Sequence, residues 1–353
     1  MLYPLKFQPV YKDYLWGGRN LEKLGRKLPQ GIIAESWEVS AHPDGLSVIS
    51  NGPEAGLILN DYLMKYGKAA VGELVAEQYL MRFPLLVKLI DANQQLSVQV
   101  HPDDEYAAQN EAGEFGKTEM WYIISAEPGA EIVYNLKPGV TKEVFRQAIK
   151  AEQIEEQLQY MEVFAGDVIF IPAGVVHALG AGIVLVEIQQ SSNATYRVYD
   201  YNRTDANGNK RPLHIDKALE VIDFDNQQLF KSKGLKLNLN SEVARSVLTV
   251  NPYFIVELYE VDGDVFENAT GDCFCLYTFI EGTATLTSAA GSLPIDVPES
   301  VFIPAKMGKY QITGSFKALK SYIYNINNRN SLLTFLKQAY DETEINKVFW
   351  GVF

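Results

Sequence analysis

Two histidines, a glutamate and a glutamine fall in three short pieces of this chain. The pieces are Gln99-Val-His101-Pro-Asp-Asp104, Lys117-Thr-Glu119 and Gly166-Asp-Val-Ile-Phe-Ile-Pro172-Ala-Gly174-Val-Val-His177. Imidazole nitrogens with carboxylate or amide oxygens suit a divalent metal ion. The chain holds four histidines, and two of them sit in these pieces. That concentration argues for ligands over scattered core or surface histidines. Gln99 and His101 stand two apart, so on a strand they face the same way. Leu96, Val98 and Val100 then face the opposite way, into packing.

The elements that must position these groups are strands. In the third piece a glycine, five residues, proline, one residue, glycine, two residues and a histidine follow in order. This resembles the second cupin motif without departure. It implies a turn between two strands, with His177 opening the second strand and pointing into a barrel. The first cupin motif usually carries two histidines two apart and then a glutamate. Here Gln99 takes the first histidine position and His101 the second. Glu119 follows only after the excursion from Pro102 to Thr118. The chain thus resembles a metal-binding cupin with one glutamine ligand and a loop inserted beside the metal.

Helices are expected over about 59–80, 140–160 (with Thr141 as N-cap) and 213–224, and a short one over Pro102–Asn110. Met120–Ser125 and Glu131–Leu136 read as a hairpin around Pro128-Gly129. Ser191–Pro212 reads as a polar loop. The segment Val301-Phe-Ile-Pro-Ala305 copies Ile169-Phe-Ile-Pro-Ala173 at an offset of 132 residues, which places Lys309 where the first copy has His177. No histidine follows position 225. The expected architecture is therefore mostly β: two cupin (jelly-roll) β-barrels with a few added helices. Residues 1–240 form the catalytic domain, and residues 241–353 form a cupin-like domain without metal ligands.

Composition bounds the function. The 353 residues carry a net charge of −13, with 47% apolar and 21% charged residues. That is the balance of a soluble globular protein. A nucleic-acid partner would call for the opposite sign of charge. The N-terminus lacks a basic region followed by an apolar core, so no signal peptide is expected. The uncharged run Val168–Val186 is broken by Pro172, Gly174, Gly180 and Gly182 and reads as buried strands, so no membrane partner is expected. Cys273 and Cys275 read as strand packing, consistent with a reducing cytoplasm.

Several stretches together resemble type I phosphomannose isomerases of the short bacterial form, over nearly the whole chain. They include Tyr14-Leu-Trp-Gly-Gly18, Ala34-Glu-Ser-Trp-Glu-Val-Ser40, Leu96-Ser-Val-Gln-Val-His-Pro-Asp-Asp104 and Gly116-Lys-Thr-Glu-Met-Trp-Tyr122. They continue with Ile171-Pro-Ala-Gly-Val-Val-His177, Glu187-Ile-Gln-Gln190, Tyr196-Arg-Val-Tyr-Asp-Tyr201 and Leu213-His-Ile-Asp-Lys-Ala-Leu219. The resemblance implies interconversion of mannose 6-phosphate and fructose 6-phosphate, with one zinc ion per chain. It implies the zinc ligands Gln99, His101, Glu119 and His177, a catalytic Arg197, and Ser97, Lys117 and Glu187 lining the site. Leu179 departs from longer members, which tend to carry tyrosine there.

The chemistry fits these residue types. Aldose–ketose isomerisation passes a proton between C2 and C1 through an enediol or enediolate, whose oxygen needs a cation in a sheltered site. Arg197 supplies fixed charge and a fork of donors. Glu187 and Lys117 are both candidates for the proton-transfer base, and Glu187 could instead orient a ligand. Arg203, Lys210 and Arg211 follow in the polar loop, where any could reach a phosphate or stand as a solvated loop charge. The expected partner is a small sugar phosphate, and the oligomeric state is left open. Two alternatives share the ligand set: a metal-dependent cupin oxygenase, and a non-enzymatic cupin that binds sugar phosphate.

Overall fold

The computed structural model describes residues 1–75, 79, 82–204, 208–226, 228–238 and 242–352. The N-terminal half is built from two antiparallel sheets packed together. The larger has the order β14 (Lys231–Ser232), β10 (Val168–Ile171), β7 (Glu119–Ala126), β12 (Ile183–Gln190), β5 (Leu85–Ala92), β3 (Glu35–Val39) and β2 (Val10–Lys12). The smaller has the order β13 (Tyr196–Tyr199), β6 (Val98–Val100), β11 (His177–Leu179), β8 (Glu131–Leu136) and β9 (Leu158–Glu162). The strand β5 reads Leu-Leu-Val-Lys-Leu-Ile-Asp-Ala and is buried at every position, as expected of a strand covered on both faces.

Alternation decides what each face of the smaller sheet does. Val98, Val100, Val133, Val176 and Val198 face outward and are covered by Phe145, Ala218 and Leu219. Those three lie on or beside the helices Lys142–Lys150 and Ile215–Val221. The helices therefore act as a lid on one face of the sheet. The opposite face, carrying Gln99 and His177, turns toward the larger sheet.

A third sheet holds the C-terminal half. Its order is β15 (Leu235–Asn238), β16 (Val243–Val250), β17 (Phe254–Ala269), β21 (Gly308–Ile323), β18 (Cys275–Ser288), β20 (Glu299–Ile303), β1 (Leu5–Gln8) and β4 (Val48–Ile49). The strand β19 (Gly291–Ile295) pairs with β18. Both faces are largely buried over residues 254–261, and beyond that β17 alternates between buried and exposed positions. Val256, Leu258, Leu276, Phe302 and Leu319 pack into the core shared with the N-terminal half. Their neighbours Tyr259, Val261, Tyr277, Val301, Ile303 and Ala318 pack into a separate core. That separate core also takes Val265, Leu286 and Ile312, which lie beyond Gly263, Gly282 and Gly314 along the long strands. The sheet thus curls over its own side chains. Gly314 sits opposite Gly263, and a Cβ on it would meet Thr283 O at 2.1 Å, so only glycine permits this close passage.

The repeat in the sequence is also a repeat of turns. Val175 N–H donates to Pro172 O at 3.3 Å, and Met307 N–H donates to Pro304 O at 3.0 Å. Lys309, in the position matching His177, is exposed. Among the described residues, the one group of His, Cys, Asp and Glu placed to hold a metal is elsewhere. The strand β1 joins the C-terminal sheet through Leu5 opposite Phe302, so the chain's beginning is tied to its second half. A domain limit at residue 240 falls outside the described residues.

Several local expectations need correction. The helix expected over 59–80 runs over Leu59–Tyr66 and Lys68–Val71, because Gly67 and Gly72 adopt positive φ and end each turn; residues 76–78 and 80 lie outside the described residues. The helix expected over 140–160 begins after Thr141, whose hydroxyl accepts from Val144 N, but ends at Lys150. Glu152 then adopts a left-handed φ of 57°, and β9 starts at Leu158. The helix expected over 213–224 covers Ile215–Val221. The expected hairpin does not form: β7 pairs with β10 and β12, whereas β8 pairs with β11 and β9. The Pro128-Gly129 turn carries the chain from one sheet to the other. The uncharged run Val168–Val186 forms strands, and no helix among the described residues is long and apolar enough to cross a membrane.

Candidate active site

Strand register assembles the site. Across the smaller sheet, Gln99 stands opposite His177 on one side and Arg197 on the other. Across the larger sheet, Trp37, Lys88, Glu187 and Trp121 form one row. Glu119 lies two residues before Trp121 and so shares its face. Between the two rows is a cleft of about 320 Å³, lined among others by Trp16, Ser97, Gln99, Lys117, Leu179 and Arg197. Arg197 therefore lies on a strand, not in the polar loop expected from the sequence. The segment following it holds the other guanidinium of the cleft, Arg211.

His101, Glu119 and His177 are buried, and one ligand atom from each lies within 4.8 Å of the others. His101 Nδ1 lies 2.9 Å from Ala194 O, and His177 Nδ1 lies 2.9 Å from Val175 O. A ring nitrogen facing a carbonyl must carry the proton, so each Nε2 keeps a lone pair turned inward. Glu119 Oε1 lies 3.2 Å from His177 Nε2, and Oε2 lies 3.0 Å from Lys117 Nζ. Neither oxygen receives a hydrogen bond of good geometry. This buried carboxylate is short of well-aimed hydrogen-bond donors, and the Lys117 ammonium is the cation beside it. Lys117 Nζ also lies 3.0 Å from His101 Nε2, so its ammonium faces the same atoms a metal would take. The Gln99 amide is 3.3 Å from His177 Nε2, and a turn of the amide would present its oxygen instead. These four side chains fit a divalent cation on the chemistry of their donor atoms.

Electrostatics support the fit. Burial, followed by the Lys117 charge, holds the His101 pKa well below its ordinary value and keeps the ring neutral. Burial opposes ionisation of Glu119, but the Lys117 charge leads the effects that outweigh it and hold its pKa well below the usual carboxylate range. Burial and then Arg211 lower the Arg197 pKa, yet a guanidinium stays charged at any ordinary pH. Arg197 Nε donates to Ser97 Oγ at 3.2 Å, and a terminal nitrogen donates to Pro212 O at 2.9 Å. Among the described residues no carboxylate pairs with it. Both Arg203 and Arg211 bind Asp200, and Lys210 donates to Asn202. Of these three basic residues, only Arg211 lines the cleft.

Glu187 is held on both oxygens. Lys88 Nζ lies 2.9 Å from Oε1, and Trp121 Nε1 donates to Oε2 at 2.9 Å. Lys88 also lies 3.7 Å from Glu35, which accepts from Trp37 Nε1 at 2.6 Å. Burial alone would depress the Lys88 pKa, but Glu187 and Glu35 raise it above its ordinary value. Lys88, Glu35 and Trp121 are functional candidates that reading the sequence missed. A lone lysine in the apolar run Phe83–Ile90 was the signal available. The other two histidines have different tasks: His42 lies 3.1 Å from Glu114, and His214 Nδ1 accepts from Arg197 N.

The Lys88 group carries a stability consequence. Lys88→Met is expected to cost about 3–5 kcal/mol, because two carboxylates stay buried without their cation. Thermal melting should show the loss, and Lys88→Met with Glu187→Gln should recover part of it. A single variant melting like the unaltered protein would contradict the buried pairing.

Comparison with known proteins follows this geometry. Residues 4–148 match the family model for the phosphomannose isomerase type I catalytic domain, and residues 245–323 match that for the mannose-6-phosphate isomerase cupin domain. The chain is 36% identical to mannose-6-phosphate isomerase ManA of Bacillus subtilis over 91% of its own length and 99% of that protein. The crystal structure of the Bacillus subtilis mannose 6-phosphate isomerase superposes with a TM-score of 0.83 at 33% identity, covering 91% and 99% of the two chains. A zinc-bound mannose 6-phosphate isomerase structure superposes at 0.69 and 18% identity, covering 92% and 100%, and shares the fold.

Proposed function

Because the chain belongs to the type I phosphomannose isomerase family and is a mannose-6-phosphate isomerase, we propose that it interconverts mannose 6-phosphate and fructose 6-phosphate by zinc-assisted proton transfer through an enediol(ate). The observation that carries this reading is the buried Glu119 carboxylate facing two inward Nε2 lone pairs, next to Gln99 and Lys117, which line a basic cleft. Gln99, His101, Glu119 and His177 would hold one zinc ion. Zinc is the metal named for a relative of the same fold. When bound, zinc supplies a positive centre that stabilises developing oxygen charge. The catalytic unit comprises the sheets before about residue 240, and the C-terminal sheet supports it without metal ligands.

Each remaining residue has a role set by position. Ser97 Oγ and the Arg197 guanidinium, bonded to one another, present donors to the sugar oxygens from the smaller sheet. Arg197 stabilises the charge that develops along C1 and C2, since its fork is fixed by Ser97 and Pro212. Lys117 faces the cleft beside the ligand atoms; as the neutral amine it would take the proton from one carbon, and as the resulting ammonium it would return it to the other. Glu187, already bonded to Lys88 and Trp121, holds the opposite wall rigid and keeps the base and sugar aligned. Arg211, anchored by Asp200, is the cleft cation best placed for the phosphate.

Family membership disfavours the oxygenase and the non-enzymatic readings. Isomerisation in deuterium oxide tests the proton-transfer route. Deuterium is expected at C1 of the fructose 6-phosphate formed, read by proton NMR. A direct hydride shift would leave that carbon unlabelled and would overturn the route.

A further inference from the structure

The C-terminal half encloses a second cavity, of about 240 Å³, well away in sequence from the metal ligands. Its walls are charged. Glu257, 1% exposed, accepts from the Arg245 guanidinium and from Tyr322 Oη at 2.8 Å. Glu267 accepts from Tyr259 Oη at 2.7 Å and lies 3.1 Å from Lys320 Nζ. Lys320 is ringed by Tyr259, Tyr277 and Tyr322, with centroids at 5.6, 5.5 and 6.0 Å. Glu257 is buried and Arg245, Glu267 and Lys320 are half-buried around it, a costly arrangement when a hydrophobic packing of equal volume would serve stability as well or better. Their arrangement around open space calls for a ligand.

The donor count says what kind. Arg245 spends Nε and one terminal nitrogen on a single Glu257 oxygen, and its other terminal nitrogen has no hydrogen-bond acceptor among the described residues. The Tyr277 and Tyr310 hydroxyls lie 3.1 Å apart, so one donates to the other and a second O–H remains, with only Cys275 Sγ at 3.7 Å. The charge balance says what it is not. Arg245 and Lys320 are matched by Glu257 and Glu267, and exposed Asp272 adds a negative charge at the rim. A phosphate or carboxylate finds no net attraction there. Thiolate–metal binding is also disfavoured, since burial pushes the Cys273 thiol up to about 12 and that of Cys275 up to about 11. The cavity lies below the ~300–1,000 Å³ that drug-sized ligands take, which fits a single small ring.

We propose that this cavity binds a neutral polyhydroxyl compound of monosaccharide size. Its hydroxyls would accept from Arg245 and Tyr310 and donate to the paired carboxylates. The Tyr310 and Tyr322 rings, which line the cavity, would cover its C–H face.

The test titrates D-mannose and D-fructose into the full chain by calorimetry. Ser331, exposed on the helix Ile326–Leu336, lines the mouth, so Ser331→Trp should plug it without disturbing the core. Saturable binding is expected in the unaltered protein and should weaken at least about tenfold in Ser331→Trp. Tyr310→Phe should weaken it less. The kcat/KM on mannose 6-phosphate and the melting temperature of Ser331→Trp should be unchanged. Three results would overturn the proposal: no saturable heat at millimolar sugar, sugar binding that survives Ser331→Trp, or inorganic phosphate binding more tightly than either hexose.

Discussion

His177→Ala, and equally His101→Ala, are expected to lose nearly all bound metal and to reduce turnover by about two orders of magnitude or more. Each ring is fixed by a backbone carbonyl at 2.9 Å, so its Nε2 is a preformed ligand that no neighbour replaces. Removing one imidazole leaves Glu119 buried beside the other imidazole and the Lys117 ammonium, with an open gap on one side. Gln99→Ala should retain a larger share of the metal, because a neutral amide is the weakest donor of the four and water can take its place. Elemental analysis of the three purified variants, alongside the isomerase assay, reads this ordering. Equal metal loss in all three would make Gln99 a full ligand and correct the ranking.

Arg197→Lys is expected to keep the fold and the metal and to lose about 10²–10³ in kcat, the scale for removing a fixed donor from a charge-stabilising site. Lysine keeps the positive charge but cannot reach Ser97 Oγ and Pro212 O with a planar fork. The loss should fall on kcat more than on KM, since the interaction matters most where charge develops. Were Arg197 only a surface staple, the change would be worth about 0–1 kcal/mol. The absence of a carboxylate partner among the described residues argues against that role. Steady-state kinetics with metal content and melting temperature decides the matter, and near-normal kcat would refute the assignment.

The ligand pieces were legible in the sequence because strand spacing and a glycine–proline turn are local signals. Gln99 and His101 share a face for the same reason that Val98 and Val100 share the other, and His177 opens β11 after its turn. What was not legible depended on contacts between distant strands. Pro128-Gly129 has the chemistry of a hairpin turn, yet the strands it joins pair with other partners, and nothing local distinguishes the two outcomes. Helix ends were set by Gly67, Gly72 and the left-handed Glu152, which weak periodicity ran through. Lys88 looked like one more strand residue. Its meaning came only when register placed Glu187 beside it and Trp37 on its other side. The charged cavity of the C-terminal half was hidden similarly, because strand register sets Glu257 opposite Lys320 and Arg245 on the next strand, while Glu267 lies beyond Gly263 on the same strand as Glu257.

The most direct test of the central claim is a coupled assay that follows fructose 6-phosphate formed from mannose 6-phosphate. The protein is assayed as purified, after exhaustive chelation, and after zinc is returned. Turnover that disappears with chelation and recovers with zinc is the expected result. Undiminished turnover in protein shown by elemental analysis to be metal-free, or no turnover in the zinc-loaded protein, would contradict the account.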